Sequence, residues 1–189
     1  MKEILRAHIE KIILLTDEEL DLVFSFFTYK KFKKNQYLIQ EGDYVDKDFW
    51  VVEGLLKSYF TEESGKEHIL QFAMADWWIS DYQAYFHQTK STINVDCIEP
   101  TTVFYITLEN REKLCEVSHN MANFFRKKSN HGYVALKNRI LTLLSLNPKE
   151  KHDRLLKKYP ELFQRVPKSL IASYLGLSRE TLSRLNSKK

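Results

Sequence analysis

Cysteine, proline and glycine are scarce in this chain: two, four and five among 189 residues. Cys97 and Cys115 stand apart, with no CxxC pair, so neither a disulfide framework nor a zinc or iron–sulfur site is expected. Two buried free thiols are the plain reading. So little glycine and proline excludes collagen-like and low-complexity chains, and 43% apolar residues exclude a disordered one. Long apolar runs are missing too. "MKEILRAHIEKIILL" interleaves acids and bases with its apolar residues, and nothing approaches the roughly 20 apolar residues that cross a bilayer. A cytoplasmic globular protein without a membrane partner is expected, built as one large domain or as a medium and a small one. Metal-ligand patterns are equally thin. His68 and His87 are the only histidines between Tyr29 and Ile106, and no HxH pair exists, so a metal-dependent enzyme is not expected.

What is present divides the chain. From Met1 to Phe125 there are 13 Lys/Arg against 21 Asp/Glu, a net of −8; from Arg126 to Lys189 there are 16 against 4, a net of +12. Clustered Lys and Arg gain free energy by releasing counterions from phosphates, so the last third fits a polyanion. A merely well-solvated basic domain is the alternative reading.

The patterning divides at a similar place. Thr16 and Glu19 have capping-box spacing and open a short helix over "LDLVFSFF". From Tyr29 to Ile106, short aromatic and β-branched segments ("YKKF", "QYLI", "DFWVVEG", "LLKSYF", "HILQF", "TTVFYIT") alternate with turn signals at Gly42, Gly54 and Gly65, which predicts a β-barrel or jelly roll. After Glu109 the rhythm is helical. Leu114, Val117, Met121, Phe124 and Phe125 line one face of a long helix, which either covers the barrel or forms a dimer seam. "NRILTLLSL" reads as a further helix ending near Pro148, and Pro167 can open another.

The stretch "PKSLIASYLGLSRETLSRL" then reads as two short helices. Gly176 supplies a tight turn, Ser178 an N-cap, and Leu182 and Leu185 pack the second helix back on the first. Arg179, Glu180 and Arg184 are left on its outward side, where a helix entering the major groove meets base edges. Arg can donate two hydrogen bonds to guanine, and Glu can accept one from the cytosine amino group.

On these residues the chain resembles the cyclic-AMP receptor protein/FNR (Crp/Fnr) family of transcription regulators over nearly its whole length. "SRETLSR" is similar to the recognition helix of the cyclic-AMP branch, "VPKSLIASYLG" and "YPELFQR" resemble a form common in Bacteroidetes members, and "EGDYVDKDFWVVEG" resembles the family's glycine-paired hairpin. The resemblance implies an α+β chain: a jelly-roll β-barrel sensor over 1–108, a dimerisation helix over 109–135 and a helix-turn-helix domain over 136–189. It implies a homodimer with its seam at Leu114, Val117, Met121 and Phe124, binding double-stranded DNA and RNA polymerase. Arg179, Glu180 and Arg184 would read bases in a half-site like TGTGA, while Lys168, Ser169, Ser178, Thr181 and Lys188 would hold phosphates. The implied activity is transcription regulation in response to a small-molecule effector; an effector-independent regulator and a sensor acting through a protein partner are the alternatives.

The effector slot departs from the family. A Gly-Glu pair and a later Arg-Ser/Thr pair are replaced by Ser80-Asp81 and Lys90-Ser91 in "ISDYQAYFHQTKSTI". Asp81 is shorter than the Glu that reaches a ribose hydroxyl, and Lys90 lacks the planar two-point contact of Arg to phosphate. Cyclic AMP is therefore not the expected ligand, and no bound cofactor is expected.

Overall fold

The computed structural model describes residues 1–186, so the phosphate contact expected of Lys188 lies outside the described residues. Helices α1 (Lys2–Ile9) and α2 (Asp17–Phe26) precede strands β1 (Thr28–Phe32), β2 (Tyr37–Ile39), β3 (Lys47–Glu53), β4 (Leu55–Thr61), β5 (Glu67–Met74) and β6 (Trp78–Ile79). Helix α3 (Tyr82–His87), strands β7 (Asn94–Cys97) and β8 (Thr101–Thr107), then helices α4 (Leu108–Val117), α5 (His119–Ser145), α6 (Pro148–Lys158), α7 (Pro160–Arg165), α8 (Lys168–Leu175) and α9 (Arg179–Asn186) follow. None of the helices described is long and apolar enough to cross a membrane. The capping box is complete: Glu19 N–H donates to Thr16 Oγ1 at 3.2 Å, and Thr16 N–H to Glu19 Oε2 at 2.9 Å.

The strands form two four-stranded sheets, β1-β8-β3-β6 and β2-β7-β4-β5. Residues of both, including Phe49, Val51, Leu56, Val95 and Val103, share one core with Tyr85 of α3. The arrangement is jelly-roll-like, but the expected closed barrel is not formed. Each sheet keeps two edge strands, and on β5 the outward Ile69 N–H and C=O pair with the side chains of Ser173 and Arg139 rather than with another strand. Gly54, at φ +107, makes the β3–β4 turn where an added Cβ would fall 2.4 Å from Thr101 Oγ1.

Strands β3 and β8 explain why "DFWVVEG" and "TTVFYIT" are nearly continuous apolar runs. Phe49, Val51 and Val103 face the core shared by the sheets, whereas Trp50, Phe104 and Ile106 face helices on the other side. That second core contains Leu5 and Ile9 of α1, Leu20 and Val23 of α2, and also Leu114, Met121 and Phe124. The expected dimer seam is corrected accordingly. Leu114, Met121 and Phe124 are fully buried against the sheet, so they are the chain's own core; Val117 alone is 63% exposed, and the helix breaks at Ser118. An amphipathic stripe shows that a face is covered, not by what.

The chain divides into two compact units: Met1–Ser58 with Phe72–His131, and Tyr59–Gln71 with the residues from Gly132 on. The division falls inside α5 and assigns the end of the β4–β5 hairpin to the second unit. Cys97 is buried, which pushes its thiol up to about 11; Cys115 is half-buried rather than buried as expected.

Candidate nucleic-acid interface and effector slot

In the second unit, Leu155 of α6, Leu162 of α7, Ile171, Ala172 and Leu175 of α8 and Leu182 of α9 are buried. Helix α8 ends in a Schellman turn. Leu177 N–H donates to the Ala172 carbonyl at 2.9 Å and Gly176 N–H to the Ser173 carbonyl at 3.0 Å, with Gly176 left-handed at φ 65°. Two residues later Ser178 caps α9, its Oγ accepting from Thr181 N–H at 3.1 Å and lying 3.0 Å from Thr181 Oγ1. Two of the expected phosphate holders, Ser178 and Thr181, thus share the capping of α9.

Because Leu182 fixes the inward side of α9, Arg179, Glu180 and Arg184 are exposed, as are Lys168 and Ser169 at the start of α8. Backbone N–H bonding at its own position, then the Ser178 hydroxyl, then the charges of Arg179 and Arg184 hold the Glu180 carboxyl below the usual carboxylate range. Ionised, it is purely a hydrogen-bond acceptor between two donors.

The effector slot is bonded to itself. Asp81 Oδ1 caps α3, accepting from Ala84 N–H at 3.1 Å, while Oδ2 lies 2.8 Å from Ser91 Oγ and accepts from Thr92 N–H at 3.3 Å. Ser91 Oγ is also 2.8 Å from the Ile93 carbonyl, and Ser80 Oγ donates to the Lys47 carbonyl at 2.7 Å. Ser80, Asp81 and Ser91 are all buried. Lys90 is exposed instead, its Nζ 6.0 Å over the Tyr44 ring, and its backbone bridges to Tyr44. The structure therefore brings Asp81 and Ser91 together and leaves Lys90 outside. A neighbouring open groove of about 370 Å³ is lined by Asp43, Asp46 and Lys47 and by none of the four slot residues.

Two buried polar clusters escaped the sequence reading, because their members are far apart in the chain and have no motif spacing. Asp48 of β3 lies 3.5 Å from Arg111 Nη1 of α4 and accepts from the Tyr82 hydroxyl at 3.1 Å; the guanidinium also sits over Phe125 at 4.4 Å and Phe86 at 5.1 Å. Burial pushes the Asp48 carboxyl up to about 7, against the opposing pull of Arg111, Tyr82 and Lys128. In the second cluster Trp78 Nε1–H donates to His8 Nε2 at 2.9 Å, so the His8 proton is on Nδ1, 2.5 Å from Asp76 Oδ1. The His8 ring stacks on Trp50 at 4.1 Å, and burial lowers its pKa to about 4. Both clusters pin helices to the sheet. Among the described residues no group of three or more His, Cys, Asp or Glu is placed to hold a metal ion.

Residues 29–118 match the family described as the cyclic nucleotide-binding domain. No curated protein matches the chain in sequence. Several solved structures share its fold. FixK2 from Bradyrhizobium japonicum is 19% identical with a TM-score of 0.70, over 86% of this chain and 83% of its own. The regulator CLP of Xanthomonas campestris, described as responsive to c-di-GMP, is 12% identical with a TM-score of 0.68, over 92% and 91%. A Eubacterium rectale protein described as a transcriptional regulator of the Crp/Fnr family is 16% identical with a TM-score of 0.68, over 90% and 82%. At these identities the likeness is one of fold.

Proposed function

We propose that this chain is a sequence-specific DNA-binding transcription regulator of the Crp/Fnr family. The observation that carries this reading is α9. Arg179, Glu180 and Arg184 are exposed on a helix that the Schellman turn, the Ser178 cap and the buried Leu182 hold against α8, in the part of the chain with a net charge of +12. Two arginines flanking an ionised glutamate have the donors and the acceptor that guanine and cytosine edges require. Lys168 and Ser169 at the exposed start of α8 hold the adjacent phosphates.

The protein acts as a homodimer, since a recognition helix of this kind meets two half-sites about one helical turn apart. The seam is the later part of α5. Tyr133, Leu136, Ile140, Leu141 and Leu144 are all exposed there, at spacings of three and four residues that suit a helix pairing with a second copy of itself. The slot at Ser80, Asp81, Lys90 and Ser91 takes no cyclic AMP. Asp81 and Ser91 already satisfy each other and α3, and Lys90 offers only a point charge outside.

Selection of bound duplexes from a random pool, followed by a salt titration, tests the reading. The expected result is a palindrome with half-sites like TGTGA and affinity that falls steeply with salt. Retention of no duplex at low salt overturns it. Calorimetry with cyclic AMP is expected to give no heat of binding.

A further inference from the structure

The outer edge of β5 is closed by side chains from the helical part of the second unit. Glu67 and Ile69 lie two residues apart, so their backbone groups point to the same side of the strand, away from β4. Ser173 Oγ of α8 accepts from Ile69 N–H at 3.1 Å and donates to the Glu67 carbonyl at 2.8 Å, so one hydroxyl stands in for the donor and acceptor of a missing neighbour strand. Arg139 of α5 donates from Nη2 to the Ile69 carbonyl at 2.9 Å, and its guanidinium lies 3.6 Å over the ring of Tyr174, the residue after Ser173. Three elements, β5, α5 and α8, therefore meet on two side chains. Among the described residues expected to face DNA, Lys168, Ser169, Arg179, Glu180 and Arg184 take no part and stay exposed while the clip is closed.

We propose that Ser173 and Arg139 are positioning residues for DNA binding: they clip the β4–β5 hairpin to α8, so that the hairpin and the α8–α9 pair move as one body and α9 is held ready to read. This rests on the DNA-binding reading above. Holding α9 before DNA arrives reduces the ordering that docking must otherwise supply. Linkage is reciprocal, so DNA bound at α9 must in turn tighten the hairpin.

The test compares wild type, Ser173→Ala, Ser173→Thr and Arg139→Met by Ile69 amide exchange, with and without a selected duplex, and by duplex affinity. In wild type, DNA slows exchange at Ile69. In Ser173→Ala the amide exchanges faster and affinity falls about tenfold, the size of one lost hydrogen bond, while base preference and salt slope stay unchanged. Ser173→Thr, which keeps the hydroxyl, restores both. Arg139→Met lowers affinity in the same way without touching the Ile69 amide bond. A Ser173→Ala protein that binds as tightly as wild type, or an Ile69 amide indifferent to DNA, overturns the clip. A wild type that binds no duplex at low salt instead removes the reading on which it rests.

Discussion

The slot between α3 and β7 and the outer face of α9 contain the same kinds of polar side chain in opposite situations. Asp81 and Ser91 are buried and satisfy each other, a helix cap and a backbone N–H; Arg179, Glu180 and Arg184 are exposed on a helix whose cap and core contacts come from other residues. A buried polar group must be hydrogen-bonded, and a ligand that used Asp81 or Ser91 would have to compete with the partners that the chain itself supplies. The resemblance to a binding cassette is therefore compatible with a slot that only holds α3 in place, whereas α9 keeps its donors and acceptors for something outside.

The largest expected effect tests which helix face is interior. Phe124→Ala should cost about 3–5 kcal/mol of stability, equally at all protein concentrations, because Phe124 is fully buried in the chain's own core. Ile140→Glu, on the exposed part of α5, should leave protomer stability nearly unchanged but shift sedimentation to monomers, since association makes apparent stability depend on concentration. If Phe124→Ala only dissociates the protein, the two faces have been exchanged.

The next effect is a pH dependence in the sheet-bearing unit. His8 has a folded pKa of about 4, below the value of an unfolded histidine, so the neutral ring's contribution is intact above pH 6.5 and is lost as pH falls towards 4. Asp76 and the more distant Lys11 and Lys128 are the charged groups around it. Urea unfolding should show wild type losing about 3 kcal/mol relative to His8→Gln between pH 7 and pH 4. Asp48, with its pKa raised to about 7, works in the opposite direction: its protonated form is favoured by folding, so its contribution weakens as pH rises from 4 to 7. The comparison of the two His8 proteins cancels that term, and parallel curves would show that burial leaves the His8 pKa where it is in the unfolded chain.

Smaller effects separate readers from holders. Arg179→Ala or Arg184→Ala should cost roughly 1–3 kcal/mol on the selected site and relax base preference there, while Lys168→Ala should weaken all duplexes alike and flatten the salt slope by about one unit. Equal losses on specific and nonspecific DNA for Arg179→Ala would remove its assignment as a base reader. In the slot, Asp81→Ala should lower stability by roughly 1–3 kcal/mol, because it removes the α3 cap and a partner of Ser91 and of the Thr92 N–H, and cyclic AMP should not raise the melting temperature of either protein. A melting temperature that rises with cyclic AMP only in wild type would make the slot a ligand site after all.

Much of this was legible in the chain because it depends on neighbours in sequence. The Thr16–Glu19 box, the Gly176 turn and the Ser178 cap each join residues a few positions apart, and all three formed as read. The strand region was read from β-branched and aromatic segments between glycines, yet its closure into a barrel was not, because edge pairing is decided by what approaches the edge. Ser173 and Arg139, 104 and 70 residues from Ile69 in sequence, carry no local signal that they will do so.

The same distinction explains the stripe at Leu114, Met121 and Phe124. The chain by itself determined that these residues share one face and that the face is covered, since 3.6-residue periodicity is a property of the backbone helix. It likewise determined the charge division and the outward place of Arg179, Glu180 and Arg184. Tertiary structure alone decided what covers the stripe, which of Asp81's oxygens Ser91 meets, and that His8 and Asp48 are held among aromatic rings. Those outcomes depend on contacts between distant segments, whose free energies come from packing and desolvation in a shared interior that no local spacing records.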